Sequence, residues 1–242
     1  MLSRLATTFT DLLYPPVCAG CSRCYDDDDR YFCPRCSVML GWRDPVRCPL
    51  CEQPTTHRRQ FCVGCQTRWP KAARIVTLGY YAGPLGHAVR VFKYGGIRSL
   101  GEYLEERLAR RVVAEVGGID RVVAVPGGRA RARRRGFDPA VVVAGTVARW
   151  LAVPLDLGSI ERARDGAALA TRTRLDREVQ VRGRFASRCD ATVAGERVLV
   201  VDDVCTTGVT LDEVAGLLLD VGGARSVVGA VLARTVVDVQ VV

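Results

Sequence analysis

Two adjacent carboxylates, Asp202 and Asp203, stand between the apolar run Val198-Leu199-Val200-Val201 and the turn Thr206-Thr207-Gly208-Val209-Thr210. Four apolar residues in succession make a short buried strand, and the Thr/Gly turn opens a helix at about Thr210. The start of a helix offers unpaired N–H groups and the positive end of the peptide dipole. Thr206, Thr207, Gly208, Val209 and Thr210 can therefore wrap a phosphate, with Gly208 letting the backbone come close. Carboxylates are poor partners for phosphate but good acceptors for vicinal hydroxyls. Asp202 and Asp203 thus suit a ribose whose 5′-phosphate lies in the loop beyond them. Paired acids can also reach Mg²⁺, directly or through water.

A second set of reactive side chains lies before residue 66, where nine of the eleven cysteines fall. Eight of them form four Cys-x-x-Cys knuckles: Cys18/Cys21, Cys33/Cys36, Cys48/Cys51 and Cys62/Cys65. Eleven residues separate the first two knuckles and ten the last two, enough for a hairpin to bring each couple around one tetrahedral ion. Zn²⁺ fits such sites best. Disulfides are the competing use of these thiols, but the start of the chain lacks the apolar core of an export signal. A reducing cytoplasm, where thiols stay free for metal, is expected. Cys24 follows Cys21 at the same spacing, so a Cys21/Cys24 knuckle competes with Cys18/Cys21, and His57 is a further candidate ligand. Four protein ligands leave no open position for water. Both zinc sites are therefore expected to be structural staples for a module of about 70 residues with few large apolar side chains.

The elements that must position these groups are legible from periodicity. A chain of 242 residues has room for a mid-sized domain and a small one, and no run reaches the ~18 apolar residues a membrane span needs. Residues 1–13 read as a short amphipathic helix packing on the cysteine module, a peripheral membrane foot being the weaker alternative for want of a Lys/Arg cluster. Strands are expected at 75–81, 122–125, 198–201 and 226–233. Helices are expected at 85–94, 100–116, 139–151, with Asp138 as cap and Pro139 as first residue, and 210–221. Strands alternating with helices predict an α/β fold with a parallel sheet, helices on both faces and ligands at the strands' C-terminal edge. The expected division is 1–70 for the short helix and double zinc ribbon, and 71–242 for the sheet domain.

Charge is distributed unevenly. Residues 1–70 hold nine arginines against seven acids, including an acidic run at 26–29, whereas the remainder holds 26 Lys/Arg against 19 Asp/Glu. The excess concentrates in 121–137, which has six arginines and no acid before Phe137, and in 162–188, with eight arginines. Both segments read as loops around the pocket, able to bind a pyrophosphate or a nucleic-acid backbone.

Residues 198–211 resemble, without a gap, the ribose-5-phosphate motif of the type I phosphoribosyltransferases. More closely, the chain is similar to the ComF family of competence-associated proteins. The likeness runs from the cysteine-rich start, through Tyr80-Tyr81-Ala82-Gly83 and Phe92-Lys93-Tyr94-Gly95-Gly96, to Arg133-Arg134-Arg135-Gly136-Phe137 and on to about Arg234. It implies a phosphoribosyltransferase-like domain that binds 5-phosphoribosyl 1-diphosphate with Mg²⁺. It also implies a pyrophosphate loop at Pro126, Gly127, Gly128 and Arg129, with Arg135 nearby, and Asp202 and Asp203 as the residues fixing the reacting ring. Where the family usually has Pro-Leu-His this chain has Pro126-Gly127-Gly128. Arg-Gly-Phe-Asn-Gln becomes Arg135-Gly136-Phe137-Asp138-Pro139, and a usual Gln and Asn appear as Leu169 and Gln180. Cys205 occupies a variable place in the motif and reads as a packing residue.

The reaction the resemblance implies is displacement of pyrophosphate from C1 by a nitrogen nucleophile. Positive charge grows on the ring and negative charge on the leaving group, for which Arg129, Arg135 and Arg162 or Arg164 are the candidate collectors. Two other readings stand beside it. One is a non-catalytic single-stranded DNA binder of the competence machinery, working with other competence proteins, for which only Phe137 and Phe185 offer stacking platforms within the arginine-rich segments. The other, a purely structural zinc adaptor, leaves the ribose-phosphate motif without a purpose.

Overall fold

The computed structural model describes residues 17–25, 31–41, 46–163, 183–188 and 193–236. The expected helix at 1–13, the acidic run at 26–29 and the stretch 164–182, with Arg164, Leu169 and Gln180, lie outside the described residues.

In chain order the elements are helices α1 (Pro34–Leu40) and α2 (Val63–Thr67), strand β1 (Arg74–Tyr80), helices α3 (Gly83–Gly95) and α4 (Arg98–Glu115), and strand β2 (Arg121–Ala124). Helices α5 (Arg129–Arg135) and α6 (Pro139–Leu151) follow, then strands β3 (Leu155–Asp156), β4 (Ile160–Arg162), β5 (Phe185–Ser187) and β6 (Arg197–Cys205). Helix α7 (Val209–Asp220) and strand β7 (Ser226–Arg234) complete the set.

Five strands form a parallel sheet in the order β1-β7-β6-β2-β3, and β4 pairs antiparallel with β5 in a separate hairpin. Alternate residues of each strand serve opposite faces. Val76, Leu78, Val122, Ala124, Leu199 and Val201 pack with α3, α4 and α6, while Ile75, Val123, Val198 and Val200 pack with Leu211, Val214, Ala215 and Leu218 of α7. The expected α/β fold with helices on both faces is the observed one.

The cysteine-rich part is built into this body. Cys18, Phe32, Cys36 and Leu40 join the α3/α4/α6 core, whereas Cys48, Cys51 and Cys65 join the α7 core, so the two cysteine groups sit on opposite faces of the sheet. The open edge of β1 is covered as well. Ile75 N donates to Leu50 O at 2.7 Å and Thr77 N to Glu52 Oε2 at 3.2 Å. Glu52 is 2 % exposed and meets the fork of Arg111, which lies on α4.

Local signals explain the element boundaries. Asp138 Oδ1 accepts from Ala140 N at 3.1 Å and Pro139 occupies the first turn of α6, as the cap-then-proline pattern predicts. Gly96 takes a left-handed conformation, φ 69°, that ends α3. The two-residue strand β3 has too short a pattern to be seen in the sequence and is fixed by its pairing with Val122 and Val123.

The structure corrects the reading of the first arginine-rich segment as a loop, while most of the second, 164–182, lies outside the described residues. Arg121 opens β2 at the far end of the sheet, where Glu196 accepts from its Nε and Nη2 at 2.6 and 2.7 Å. Residues 129–135 form helix α5, because Gly128 can start it and a left-handed Gly136, φ 79°, stops it. The ends of the second segment form the β4–β5 hairpin, with Arg162 Cζ 5.8 Å from the centre of the Phe185 ring. Glu213 Oε1 on α7 anchors that hairpin by accepting from Gly183 N and Arg184 N at 2.7 and 2.8 Å.

Candidate functional site

The chain moves outward from β2 to β3, then returns to β6 and inward to β7. Connections therefore diverge between β2 and β6, and a crevice at the C-terminal ends of those strands follows from the topology. Strand β2 ends at Ala124 opposite Val201, but β6 continues beside β7 through Asp202↔Val231, Val204↔Ala233 and Cys205↔Arg234. Sequence reading ended this strand at Val201. Pairing with the long β7 carries it four residues further, so Asp202 and Asp203 stand within a strand that has lost one neighbour.

The two acids have different surroundings. Asp203 N donates to Asp202 Oδ1 at 2.7 Å, and Lys93 Nζ lies 2.8 Å from Asp203 Oδ1. Burial, and next the charge of Asp203, push the Asp202 carboxyl up to about 7, against the opposing pull of its hydrogen bond and Lys93; Asp138 adds to the upward push.

Beyond the acids, Thr206 and Thr207 are exposed while Gly208, Val209 and Thr210 are half-buried at the start of α7. Gly208 adopts φ 86°, a conformation that explains why the turn carries glycine. Cys205 is buried at the root of this turn, where its Sγ accepts from Arg234 Nη1 at 3.0 Å. Burial pushes its thiol up, which fits a packing role and not a nucleophile.

On the β2 side, Val125 N donates to Val201 O at 2.9 Å, which ties Pro126, Gly127, Gly128 and Arg129 to the strand that bears the acids. Gly127 N donates to Asp138 Oδ2 at 2.9 Å, and a Cβ on Gly127 would overlap that carboxylate. Asp138 therefore caps α6 with one oxygen and clamps the loop with the other. Arg129 is exposed at the start of α5. Arg135 ends that helix with its guanidinium 4.7 Å from the Tyr94 ring centre and its buried Nε without a partner among the described residues.

Helix α3 joins the two halves of the crevice through three consecutive residues. The Phe92 ring lies 5.3 Å from that of Phe137, Lys93 meets Asp203, and Tyr94 carries Arg135. In the sequence these three residues stand out only through the family likeness, which assigns Lys93 no role. A lone lysine near a glycine pair carries no signal of its own, since its partner is 110 positions away. The sequence marks Asp138 as a cap; its second role appears only when β2 and α6 are placed together.

The cysteines gather as Cys18, Cys21, Cys33, Cys36 and as Cys48, Cys51, Cys62, Cys65, the sulfurs of each group all lying within 4.8 Å of one another. Tetrahedral zinc with Zn–S bonds near ~2.3 Å requires such spacing, and either group could hold that ion. Backbone N–H groups already point at the first: Gly20 N and Cys33 N each donate to Cys18 Sγ at 3.3 Å. Burial raises that thiol, yet these donors together with Cys21 outweigh it and bring it down to about 7. Cys24 and His57 belong to neither group. His87 on α3 went unnoticed in the sequence. Its Nδ1 lies 2.8 Å from Ala19 O and seats the first knuckle.

Among the described residues no helix is long and apolar enough to cross a membrane. The phosphoribosyl transferase domain family matches residues 138–237. The DNA utilization protein YhgH of Escherichia coli K12 is 33 % identical over 187 residues, 75 % of this chain and 81 % of that protein. Competence protein F of Haemophilus influenzae is 28 % identical over 182 residues, 72 % of this chain and 79 % of that protein. Among solved structures, the glutamine phosphoribosylpyrophosphate amidotransferase of B. subtilis aligns at a TM-score of 0.39 and 23 % identity over 55 % of this chain and 26 % of that one. Purine phosphoribosyltransferase of Pyrococcus horikoshii aligns at a TM-score of 0.36 and 19 % identity over 55 % and 71 %. With a phosphoribosyltransferase-type sheet behind two four-cysteine groups, and relatives of this coverage, the chain belongs to the ComF family.

Proposed function

We propose that the crevice between β2 and β6 binds 5-phosphoribosyl 1-diphosphate with Mg²⁺ and transfers its phosphoribosyl group to a nitrogen nucleophile, in the service of DNA uptake or utilization. The observation that carries this reading is the placement of Asp202 and Asp203 between the clamped loop after β2 and the Gly208 turn that opens α7. In this reading the acids accept the ribose hydroxyls, and Thr206, Thr207, Gly208, Val209 and Thr210 hold the 5′-phosphate. Pro126, Gly127, Gly128 and Arg129 face the diphosphate with Arg135 behind them. Hard oxygen donors suit Mg²⁺, which would neutralise phosphate charge. Lys93 already stands on Asp203, so the ion's remaining ligands would come from the diphosphate and water. Two structural zinc ions would staple residues 1–70 onto the transferase-like part, 71–242. Incubating zinc-replete protein with phosphoribosyl diphosphate, Mg²⁺ and a panel of bases and amines tests turnover: pyrophosphate release above that of an Asp202→Asn, Asp203→Asn double variant is expected, and none above it removes catalysis for those acceptors.

A second reading, non-catalytic binding of single-stranded DNA, draws support from α5. Arg129, Arg131, Arg133 and Arg134 are exposed there, and Tyr94 beside them is 66 % exposed. Competition between a single strand and phosphoribosyl diphosphate would place both in one crevice. A steep salt dependence untouched by the double aspartate variant would place the strand on α5.

A further inference from the structure

Arg234, the last residue of β7, is 4 % exposed, and among the described residues no carboxylate lies within ion-pairing distance of it. Its Nη1 donates to Cys205 Sγ at 3.0 Å, and its buried Nε has no partner among the described residues. A buried guanidinium without a counter-charge costs several kcal/mol, so some negative group must compensate it. A source of negative charge adjoins it: Arg234 lines one cavity of about 760 Å³ together with Cys51, Cys62 and Cys65 of the second cysteine group. Four thiolates around one Zn²⁺ leave two net negative charges.

The other wall of that cavity is the start of α7, including Thr207, Gly208 and Val209. Further hydrogen bonds run between the cysteine side and the strands and helix that carry the turn. Gln53 Nε2 donates to Thr235 O at 2.7 Å, Thr235 N donates to Cys205 O at 2.8 Å, and Asp212, one turn into α7, accepts from Arg68 Nη2 at 2.6 Å and from Lys71 N at 2.5 Å. We infer that Arg234 is the counter-ion of a tetrathiolate zinc centre at Cys48, Cys51, Cys62 and Cys65, and a positioning residue that transmits the occupancy of that centre through Cys205 to the turn 206–210. The ligand half of this inference rests on the sugar-phosphate reading of that turn; the metal half does not. Coupling of this kind is reciprocal: zinc at the second group strengthens sugar-phosphate binding, and bound sugar phosphate slows release of that zinc.

The test uses the full-length, zinc-replete protein, a thiol-reactive reagent and a chromophoric chelator, with alkylated cysteines mapped by mass spectrometry. Partners in the surroundings of a metal typically alter affinity by about 10- to 100-fold, so Arg234→Gln is expected to release the zinc of the Cys48-to-Cys65 group at least ~10-fold faster while the Cys18-to-Cys36 group keeps its rate. Arg234→Lys, which retains the charge, is expected to stay close to the wild type. Wild-type release rates from both groups in Arg234→Gln, or no zinc at the second group of the wild-type protein, overturn the inference. Should Arg234→Gln not fold, the wild-type protein decides: phosphoribosyl diphosphate at a concentration where binding is verified must slow the second group's release, and unchanged release overturns the coupling. Absence of any binding would fall on the sugar-phosphate reading, while the Arg234→Gln arm would still report on the ion pair.

Discussion

Lys93 Nζ on α3 lies 2.8 Å from Asp203 Oδ1 on β6, with both side chains largely buried at 13 % and 16 % exposure. Without that cation, two neighbouring carboxylates would share a poorly solvated crevice. A double-mutant cycle of Lys93→Met and Asp203→Asn, read by urea unfolding of the ligand-free protein, should give a coupling of roughly 1–3 kcal/mol, with Lys93→Met alone the more damaging change. Strict additivity would mean that the pair does not stabilise the site.

The titration of Asp202 makes stability depend on pH. Burial and the neighbouring Asp203 raise its carboxyl from the ordinary range near 4 to about 7. The folded protein therefore holds a proton there that the unfolded chain has lost, and stability contributed by this group falls as pH rises from about 4 to about 7. Asp202→Asn removes that dependence while keeping an oxygen for the Asp203 N–H. Relative to the wild type, the variant should gain stability between pH 5 and pH 8, by about 2–3 kcal/mol at a pKa step of ~1.4 kcal/mol per unit over the two units from pH 5 to the raised pKa. A gap between the two proteins that stays constant with pH would contradict the placement of Asp202.

Metal content is expected to be about two zinc ions per chain, from the two four-sulfur groups. Cys21→Ser and Cys62→Ser should each lose one equivalent and lower the melting temperature, whereas Cys24→Ser should lose none. Elemental analysis of the purified variants reads this directly; one equivalent in the wild type would break the two-site assignment.

Much of this architecture was legible in the sequence because its signals are local. The knuckle spacings give the cysteine groupings, four apolar residues before Asp202 give the strand, and Asp138-Pro139 gives the start of α6. What escaped depends on distant pairings. The extension of β6 to Cys205 is set by β7, the clamp of Asp138 on Gly127 by the approach of β2 to α6, and the roles of Lys93 and Arg234 by partners that sequence spacing does not advertise. Arginine density was a misleading guide. Arg121 belongs to a structural ion pair with Glu196 at the opposite end of the sheet, and 129–135 is helical because glycines bound it, not because of its charge.

The central claim is that Asp202 and Asp203, together with the Gly208 turn, grip a phosphorylated ribose. Calorimetric titration of zinc-replete protein with phosphoribosyl diphosphate and Mg²⁺ tests it most directly. Saturable one-to-one uptake is predicted, weakened at least ~10-fold by Asp203→Asn, since a hydrogen bond to a charged group contributes about 1.5–3 kcal/mol. No heat of binding with or without Mg²⁺, or identical affinity in the variant, would contradict it.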